Sequence, residues 1–326
     1  MNFRKFNGTD FLTSEIGQGC WQLGGGDWGD VSDNQAFGIL AQAVASGVNF
    51  FDTADVYGGG RSEELIGRFC KETGHQVFVA TKLGRVGIYP DNYTEATIRT
   101  ATEASLQRLQ VEALDLTQLH CLPTEVFRQG DVFEWMRQLQ QEGKIKRFGA
   151  SVESMEEAQI CLQQDGLSAL QIIFNLFRQK PIETIFEEAK QKSVALIVRL
   201  PLASGLLSGK LTKQSEFAAS DHRNYNRDGQ FFNVGETFAG LEFEQGIDLV
   251  DQLRPFVPSE LTMAQWAMRW ILDFDAVTVV IPGATKVEQV IANAAVSDLP
   301  PLSATAHEQL RTFYEADVAA QIRGPY

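Results

Sequence analysis

The sequence predicts a (β/α)8 barrel, the α/β architecture known as a TIM barrel, with a short N-terminal β-hairpin. Three observations predict it. Short apolar runs recur along the chain with a polar or ionisable residue near their carboxyl ends, stretches with helical spacing separate them, and no linker interrupts the cycle. A barrel of this kind builds its active site from strand ends and the loops that follow them, so the polar tips are where function is to be sought. At 326 residues the chain exceeds an average domain, yet barrels reach this size as one unit, and residues 1–326 are read as a single domain.

Taken in order, Asn7-Gly8 lies between Phe3-Arg4-Lys5-Phe6 and Thr9-Asp10-Phe11-Leu12 and signals a hairpin turn. After Ile16-Gly17-Gln18-Gly19, Asp33 or Asn34 is placed to cap a helix with Phe37, Leu40 and Val44 on one face, ended by Gly47. The run Val48 to Phe51 delivers Asp52, and Tyr57 follows five residues later. Ser62, Glu63 and Glu64 open the next helix, which Gly74 closes before Val77 to Ala80 lead to Lys82. Ile98, Ala101, Ser105 and Leu109 give a third helical face, and Leu114 to Leu119 deliver His120. Val132, Trp135 and Leu139 give a fourth, closed by Gly143, and the next strand, near Ile145 and through Arg147 to Ala150, delivers Ser151. Strands near Leu170, Val194 and Val277 bring the total to about eight units.

Two glycine motifs imitate other folds. Gly24 to Gly29 matches G-x-G-x-x-G, and Asp52 ends a strand at roughly the spacing of a dinucleotide fold's ribose-binding acid. In that fold the last glycine opens the helix directly, whereas here the capping residues come later and no second domain follows. Gly205 to Lys210 imitates a P-loop with one residue too few between its glycines and Leu211 where a magnesium-binding hydroxyl belongs. Its place after the seventh strand is still informative, because barrels often hold phosphate in the loops after strands seven and eight. The eighth unit supplies a helix N-terminus there, Pro282-Gly283-Ala284 followed by Thr285-Lys286-Val287-Glu288, with Thr285 and Glu288 read as a capping box.

Composition bounds the partners. Twenty-eight basic against 42 acidic residues give a net charge of −14, which argues against nucleic acid or an anionic membrane as partner. No window approaches membrane-spanning length and the N-terminus lacks a signal-peptide core, so a cytoplasmic location is expected. Cys20, Cys70, Cys121 and Cys161 lack paired spacing and indicate neither disulfides nor a zinc site. The assembly state is left open.

With Asp52, Tyr57, Lys82 and His120 at one mouth and a phosphate site after strands seven and eight, the chain resembles the aldo-keto reductase superfamily. The resemblance runs through Gly47 to Gly58, Ser62 to Gly67, Leu119-His120 and Ile281-Pro282-Gly283-Ala284. It implies a catalytic tetrad of Asp52, Tyr57, Lys82 and His120, and reduction of an aldehyde or ketone by hydride from NADPH bound extended, without a dinucleotide fold. Chemistry accounts for those residue types. Negative charge builds on a carbonyl oxygen as hydride arrives, and Tyr57 is placed as the acid that meets it. A free phenol titrates near 10, so Lys82 is expected to stabilise its phenolate, with Asp52 keeping the ammonium charged. His120 orients the carbonyl or helps relay the proton.

The resemblance also implies the cofactor contacts. Ser151 and Gln171 fall on the nicotinamide carboxamide, although Val152 stands where an asparagine is usual. Arg199 occupies a position that often carries a ring-stacking aromatic, and a guanidinium there can stack, meet the pyrophosphate or meet an acidic substrate. Leu202, Ser204, Gly205 and Leu207 line the pyrophosphate, and Thr285, Lys286 and Gln289 meet an adenosine 2′-phosphate with Asn293 on the adenine. Gly19, Cys20, Trp21, Asp52, Lys210 and Gly283 complete the cofactor set. Lys286 favours NADPH over NADH, because a cation beside helix amides rewards the extra phosphate. Trp21, Tyr57, Tyr89, His120 and Cys121, with Trp28 and Phe231 nearby, are read as lining the pocket for a small-molecule carbonyl substrate. The segment from Ser220 to Phe238 breaks the repeat and is read as a lid or cofactor clamp. Asp55 and Arg323 to Tyr326 receive no role. Two other functions are open: a metal-dependent barrel hydrolase using Asp52, Asp55 and His120, although His75, His222 and His307 lie away from strand tips, and an NADP(H)-binding regulatory subunit with little turnover.

Overall fold

The computed structural model describes all residues from Met1 to Tyr326. Eight parallel strands pair in chain order: β1 (Gln18–Gly19), β2 (Phe50–Asp52), β3 (Phe78–Leu83), β4 (Leu116–His120), β5 (Phe148–Ser151), β6 (Leu167–Ile173), β7 (Ala195–Arg199) and β8 (Val277–Val280). Bridges from Ile16 to Val280 and from Gly19 to Gly283, with the Gly17 N–H donating to the Val280 carbonyl at 2.8 Å, join the last strand to the first. The expected barrel is therefore present, with helices between successive strands.

Side chains alternate along a strand, and the alternation locates the site. Phe50, Phe78, Ala80, Leu116, Ala169, Ala195, Ile197 and Val279 form one apolar cluster inside the barrel. Two residues beyond Phe50 stands Asp52; beyond Ala80, Lys82; beyond Leu116, Gln118; beyond Ala169, Gln171; and beyond Ile197, Arg199. A polar layer thus sits on an apolar one, toward the carboxyl ends of the strands. The opposite end is plugged by the hairpin Phe3–Lys5 and Leu12–Ser14, whose loop packs Phe6 against the stacked rings of Phe50 and Phe78 at centroid distances of 6.2 and 5.2 Å. Phe6 is wholly buried, and that burial contributes about 2 kcal/mol.

This plug changes the expected turn. Asn7-Gly8 is not a two-residue hairpin loop, because Lys5 pairs with Leu12 and six residues intervene. Placing Phe6 in the barrel floor lengthens the loop, and the Asn7 amide instead donates to the Val194 carbonyl at 3.3 Å. The first helix, Asp33–Ala45, is capped by Ser32 in a capping box with Gln35, not by Asp33 or Asn34. Asp33 is drawn away by Arg61 at 2.7 Å and Arg68 at 2.9 Å. Its buried face is Ala36, Ile39, Leu40 and Ala43, with Phe37 flanking against Phe69. The second helix starts at Arg61, and the Ser62 hydroxyl, one residue in, donates to the Cys20 carbonyl at 2.8 Å. Ile145 makes only a single bridge to Leu114, and β5 begins at Phe148.

The glycine run after β1 has a packing role. A Cβ on Gly58 would lie 2.2 Å from the Gly24 carbonyl oxygen, and Gly58 has φ +61°, so neither spatially nor conformationally does the turn accept a side chain. This close approach seats the turn that carries Tyr57 against the loop that carries Trp21.

Candidate active site

Lys82 is the hub. Its ammonium donates to Asp52 Oδ1 at 2.5 Å, the Thr53 carbonyl at 2.8 Å and the Tyr57 hydroxyl at 3.0 Å, and it is 1% exposed. The Asp55 amide donates back to the Lys82 carbonyl at 3.0 Å, which fixes the loop between Asp52 and Tyr57 to β3. His120 ends β4 with its ring edge-on to Tyr57, centroids 6.0 Å apart at 88°. Asp52, Lys82 and His120 from the strand tips and Tyr57 from the following turn therefore gather in one place. Trp21 stacks on the other side of Tyr57 at 5.7 Å and 15°, and its indole N–H donates to Asp27 at 2.9 Å.

The electrostatics follow from burial and from three cations. Burial works to discharge Lys82, but the Asp52 carboxylate and then Tyr57 outweigh it and hold the ammonium above its ordinary range. For Tyr57 burial prevails over the attraction of Lys82, and the phenol is pushed up to about 12. Lys82 does pull the phenol downward, as its proximity requires, but less than desolvation pushes it upward, so the expected lowering is not realised. At neutral pH Tyr57 is thus a proton holder. Burial, then Lys82, Arg85 and Arg199, drive His120 well below its ordinary range, so its ring is neutral. Its Nδ1 is buried without a partner.

Two buried amides complete the constellation. Gln171 Nε2 donates to Asp52 Oδ2 at 2.7 Å and to Gln118 Oε1 at 3.3 Å, while Gln118 Nε2 lies 3.4 Å from Asp52 Oδ2. Both oxygens of Asp52 accept hydrogen bonds, one from the Lys82 ammonium, which makes it the counter-ion of the lysine. Ser151 pairs in register with both His120 and Gln171 at the rim.

Arg199 does not stand free. Its guanidinium pairs with Glu236 of the inserted segment at 2.8 Å and donates to the Val152 carbonyl at 3.0 Å, leaving Nε without a partner. Ser204 is likewise engaged, donating to the Glu236 carbonyl at 2.9 Å and accepting from the Phe238 amide at 3.2 Å. On the far side the segment's Tyr225 hydroxyl donates to Asp27 at 2.8 Å, and the His222 amide donates to the Asp27 carbonyl at 3.1 Å. The segment that breaks the repeat is therefore a strap fastened to both β7 and the Trp21 loop. Arg323 holds it from the chain terminus, pairing with Asp228 at 2.8 Å and donating to the Gly240 and Leu241 carbonyls.

Other predicted positions fall as follows. Leu207 is wholly in the apolar core, so only its backbone can face a pyrophosphate, and Lys210 is exposed. Gly205 has φ +100°, in the turn after β7. Leu202 is half-buried beside it. Gly19 lies between Asp52 and Gly283, which ties the tetrad to the eighth unit. Thr285 and Glu288 do not form the expected capping box: Gln289 Oε1 accepts from the Thr285 and Lys286 amides at 2.8 and 3.1 Å, one residue later. Lys286 is exposed at the start of the helix Val287–Ala294, and Asn293 reaches toward the Gly283 carbonyl at 3.5 Å. Cys20 is wholly buried, with its thiol pushed well up by burial. Cys121 is buried with φ +49°, its thiol raised to about 12 by burial, and its sulfur lies 3.6 Å from Ser151 Oγ. Tyr89 is half exposed under Arg85, whose guanidinium sits 4.6 Å from the ring centroid. Trp28 closes the aromatic wall, edge-on to Trp21 at 5.6 Å with His222 packed against both, while Phe231 points to solvent.

Sequence reasoning missed Gln118, Arg85, Glu153 and Glu236. Arg85 donates to the His120 carbonyl at 3.1 Å and pairs with Glu153 at 3.3 Å; burial and then Glu236 push the Glu153 carboxyl up to about 7.

The chain has known counterparts. The model of the Aldo/keto reductase family matches residues 15–315. The chain belongs to the aldo-keto reductase family. It is 30% identical over 299 residues to the aldo-keto reductase YhdN of Bacillus subtilis (strain 168), covering 90% of this chain and 87% of that one. It is 28% identical to the NADH-specific methylglyoxal reductase of Escherichia coli (strain K12), covering 88% of this chain and 90% of that one. Among solved structures it resembles the glycerol dehydrogenase AKR11B4 of Gluconobacter oxydans, with a TM-score of 0.77, 28% identity and coverage of 99% and 98%. The Klebsiella pneumoniae aldo-keto reductase solved with NADPH shares the fold at a TM-score of 0.70 and 24% identity, covering 96% of each chain. This aldo-keto reductase is an oxidoreductase, and no helix in it is long and apolar enough to cross a membrane.

Proposed function

We propose that this aldo-keto reductase reduces a small aldehyde or ketone with NADPH, with Tyr57 as the proton donor. The observation that carries the reading is the hydrogen bond between the Lys82 ammonium and the Tyr57 hydroxyl, with Asp52 behind the lysine. The nicotinamide cofactor supplies the hydride; the residues of this chain supply the proton and the field that receives the developing charge. Neutral His120 points an imidazole edge at the same place and orients the carbonyl oxygen. As negative charge grows on that oxygen, Tyr57 gives up its proton, and the adjacent ammonium stabilises the phenolate that remains. Asp52 keeps the ammonium charged through the cycle, and Trp21 with Trp28 covers the pocket against water.

The chain's donors fit the cofactor. Both Gln171 amide hydrogens are directed to Asp52 and Gln118, so its carbonyl oxygen is left to accept from a carboxamide, beside the Ser151 hydroxyl. The charge of buried Arg199 is already paired with Glu236, and its orphaned Nε–H is a donor in want of an acceptor near the pyrophosphate loop. Exposed Lys286 at a helix start suits a 2′-phosphate. With Gln289 already holding two of the amides there, most of the preference falls to the lysine.

The test is absorbance of NADPH or NADH followed across a panel of aldehydes and ketones, with wild type and Lys286→Ala. Turnover with NADPH, and a selective loss of NADPH affinity of about fivefold in the variant, are expected. Tight NADPH binding without turnover on any carbonyl would point to a regulatory role, and preference for NADH would remove the assignment to Lys286.

A further inference from the structure

Gln118 touches neither the expected substrate nor the cofactor position, yet it is wholly buried in the polar layer beneath them. It stands two residues before His120 on β4 and opposite Lys82 in the register between β3 and β4. Asp52 Oδ1 is given to Lys82, and Oδ2 faces two amide nitrogens, Gln171 at 2.7 Å and Gln118 at 3.4 Å. The amide of Gln171 is further fixed by donating to Gln118 Oε1 at 3.3 Å. A carboxylate can only accept, so it dictates which end of each amide faces it. Gln118 then locks the second hydrogen of Gln171 and prevents that side chain from rotating.

We infer that Gln118 is a positioning residue for hydride transfer: it holds the Asp52 carboxylate and the Gln171 amide in the one arrangement that charges Lys82 and presents the Gln171 carbonyl oxygen to the nicotinamide carboxamide. The inference rests on the proposed reductase activity. Without Gln118, Oδ2 of Asp52 loses a donor and Gln171 regains its freedom to turn. The less neutralised carboxylate also raises the cost of the Tyr57 phenolate, so alcohol oxidation, which needs that phenolate, shifts to higher pH.

The experiment compares wild type, Gln118→Met and Gln118→Glu in benzaldehyde reduction and benzyl alcohol oxidation, with NADPH affinity followed by fluorescence. Gln118→Met keeps the volume and removes both polar ends. The expected result is a fall in kcat of about tenfold with the KM for benzaldehyde little changed, and a rise in the pH at which oxidation sets in. Gln118→Glu supplies the discriminating signal. Its protonated carboxyl donates to Asp52 and accepts from Gln171 as the amide does, whereas its ionised form is a second carboxylate beside Asp52. Activity close to wild type at low pH, lost as pH rises through one new ionisation, is expected of Gln118→Glu alone. Should Gln118→Met fail to fold, the profile of Gln118→Glu decides. An unaltered profile in Gln118→Glu, or unaltered kcat in Gln118→Met, overturns the inference while wild-type turnover leaves the reductase reading intact; absence of wild-type turnover overturns that reading itself.

Discussion

Replacing Lys82 with methionine separates the structural from the chemical role of the hub. The side chain is buried and its ammonium makes three hydrogen bonds, to Asp52, Thr53 and Tyr57. Methionine preserves much of the volume, so the loss is electrostatic. It strands Asp52, itself 3% exposed, as a buried carboxylate with only amide partners. Leaving one partner of a buried pair uncompensated costs roughly 3 to 5 kcal/mol, and for a chain of this length about 3 kcal/mol corresponds to a fall in melting temperature of about 4 °C. Adding Asp52→Asn removes the stranded charge, so the double variant should recover most of the stability, seen by calorimetry. Turnover should not recover, because Tyr57 still lacks its cation; both variants should fall by at least about a hundredfold in NADPH-linked reduction. Recovery of activity together with stability would refute the claim that Lys82 acts on Tyr57. A single variant as stable as wild type would refute the stranded-charge argument.

Two further consequences concern groups near the site. Burial, reinforced by Glu63, pushes the Asp55 carboxyl up to about 7, and neither of its oxygens has a partner. A folded-state value above the unfolded one means that the unfolded chain ionises first, so stability is lost as pH rises from about 4 to 7. Asp55→Asn should therefore match wild type near pH 4 and exceed it near pH 8 by a few kcal/mol, about 4 at most, in urea titrations; a constant difference across that range would contradict the assignment. Glu236→Ala leaves Arg199 buried without its carboxylate and should cost about 3 kcal/mol, together with faster proteolysis within residues 220–238. Identical cleavage rates in variant and wild type would show that the ion pair does not fasten the strap.

Much of the fold was legible because a barrel repeats locally. Each apolar run ending in Asp52, Lys82, His120 or Ser151 is one strand, and parallel register places the four tips at the same end without further information. Gln118 was legible in principle, since Leu116, Gln118 and His120 share a face by the two-residue period. A polar residue inside a strand's run reads as an interruption, which hides it in the sequence. The cap at Ser32 was also signalled, by Gln35 three residues on, but the adjacent Asp33 and Asn34 offered equal local chemistry and only the distant Arg61 and Arg68 decide against Asp33. Glu236 gave no such signal. Its partner lies on β7, the intervening chain has no periodicity, and charge pairing across such a separation is set by tertiary closure alone. The same holds for the Asn7-Gly8 turn, where packing of Phe6 into the barrel floor overrides a strong local preference.

Everything in the proposed chemistry passes through one phenol, so Tyr57→Phe is the most direct measurement. The variant keeps the ring that stacks on Trp21 and removes only the hydroxyl bonded to Lys82. NADPH affinity by fluorescence should remain within about twofold of wild type while kcat for aldehyde reduction falls by at least about a hundredfold, the size of one general-acid contribution. Unchanged turnover with unchanged affinity would contradict the account.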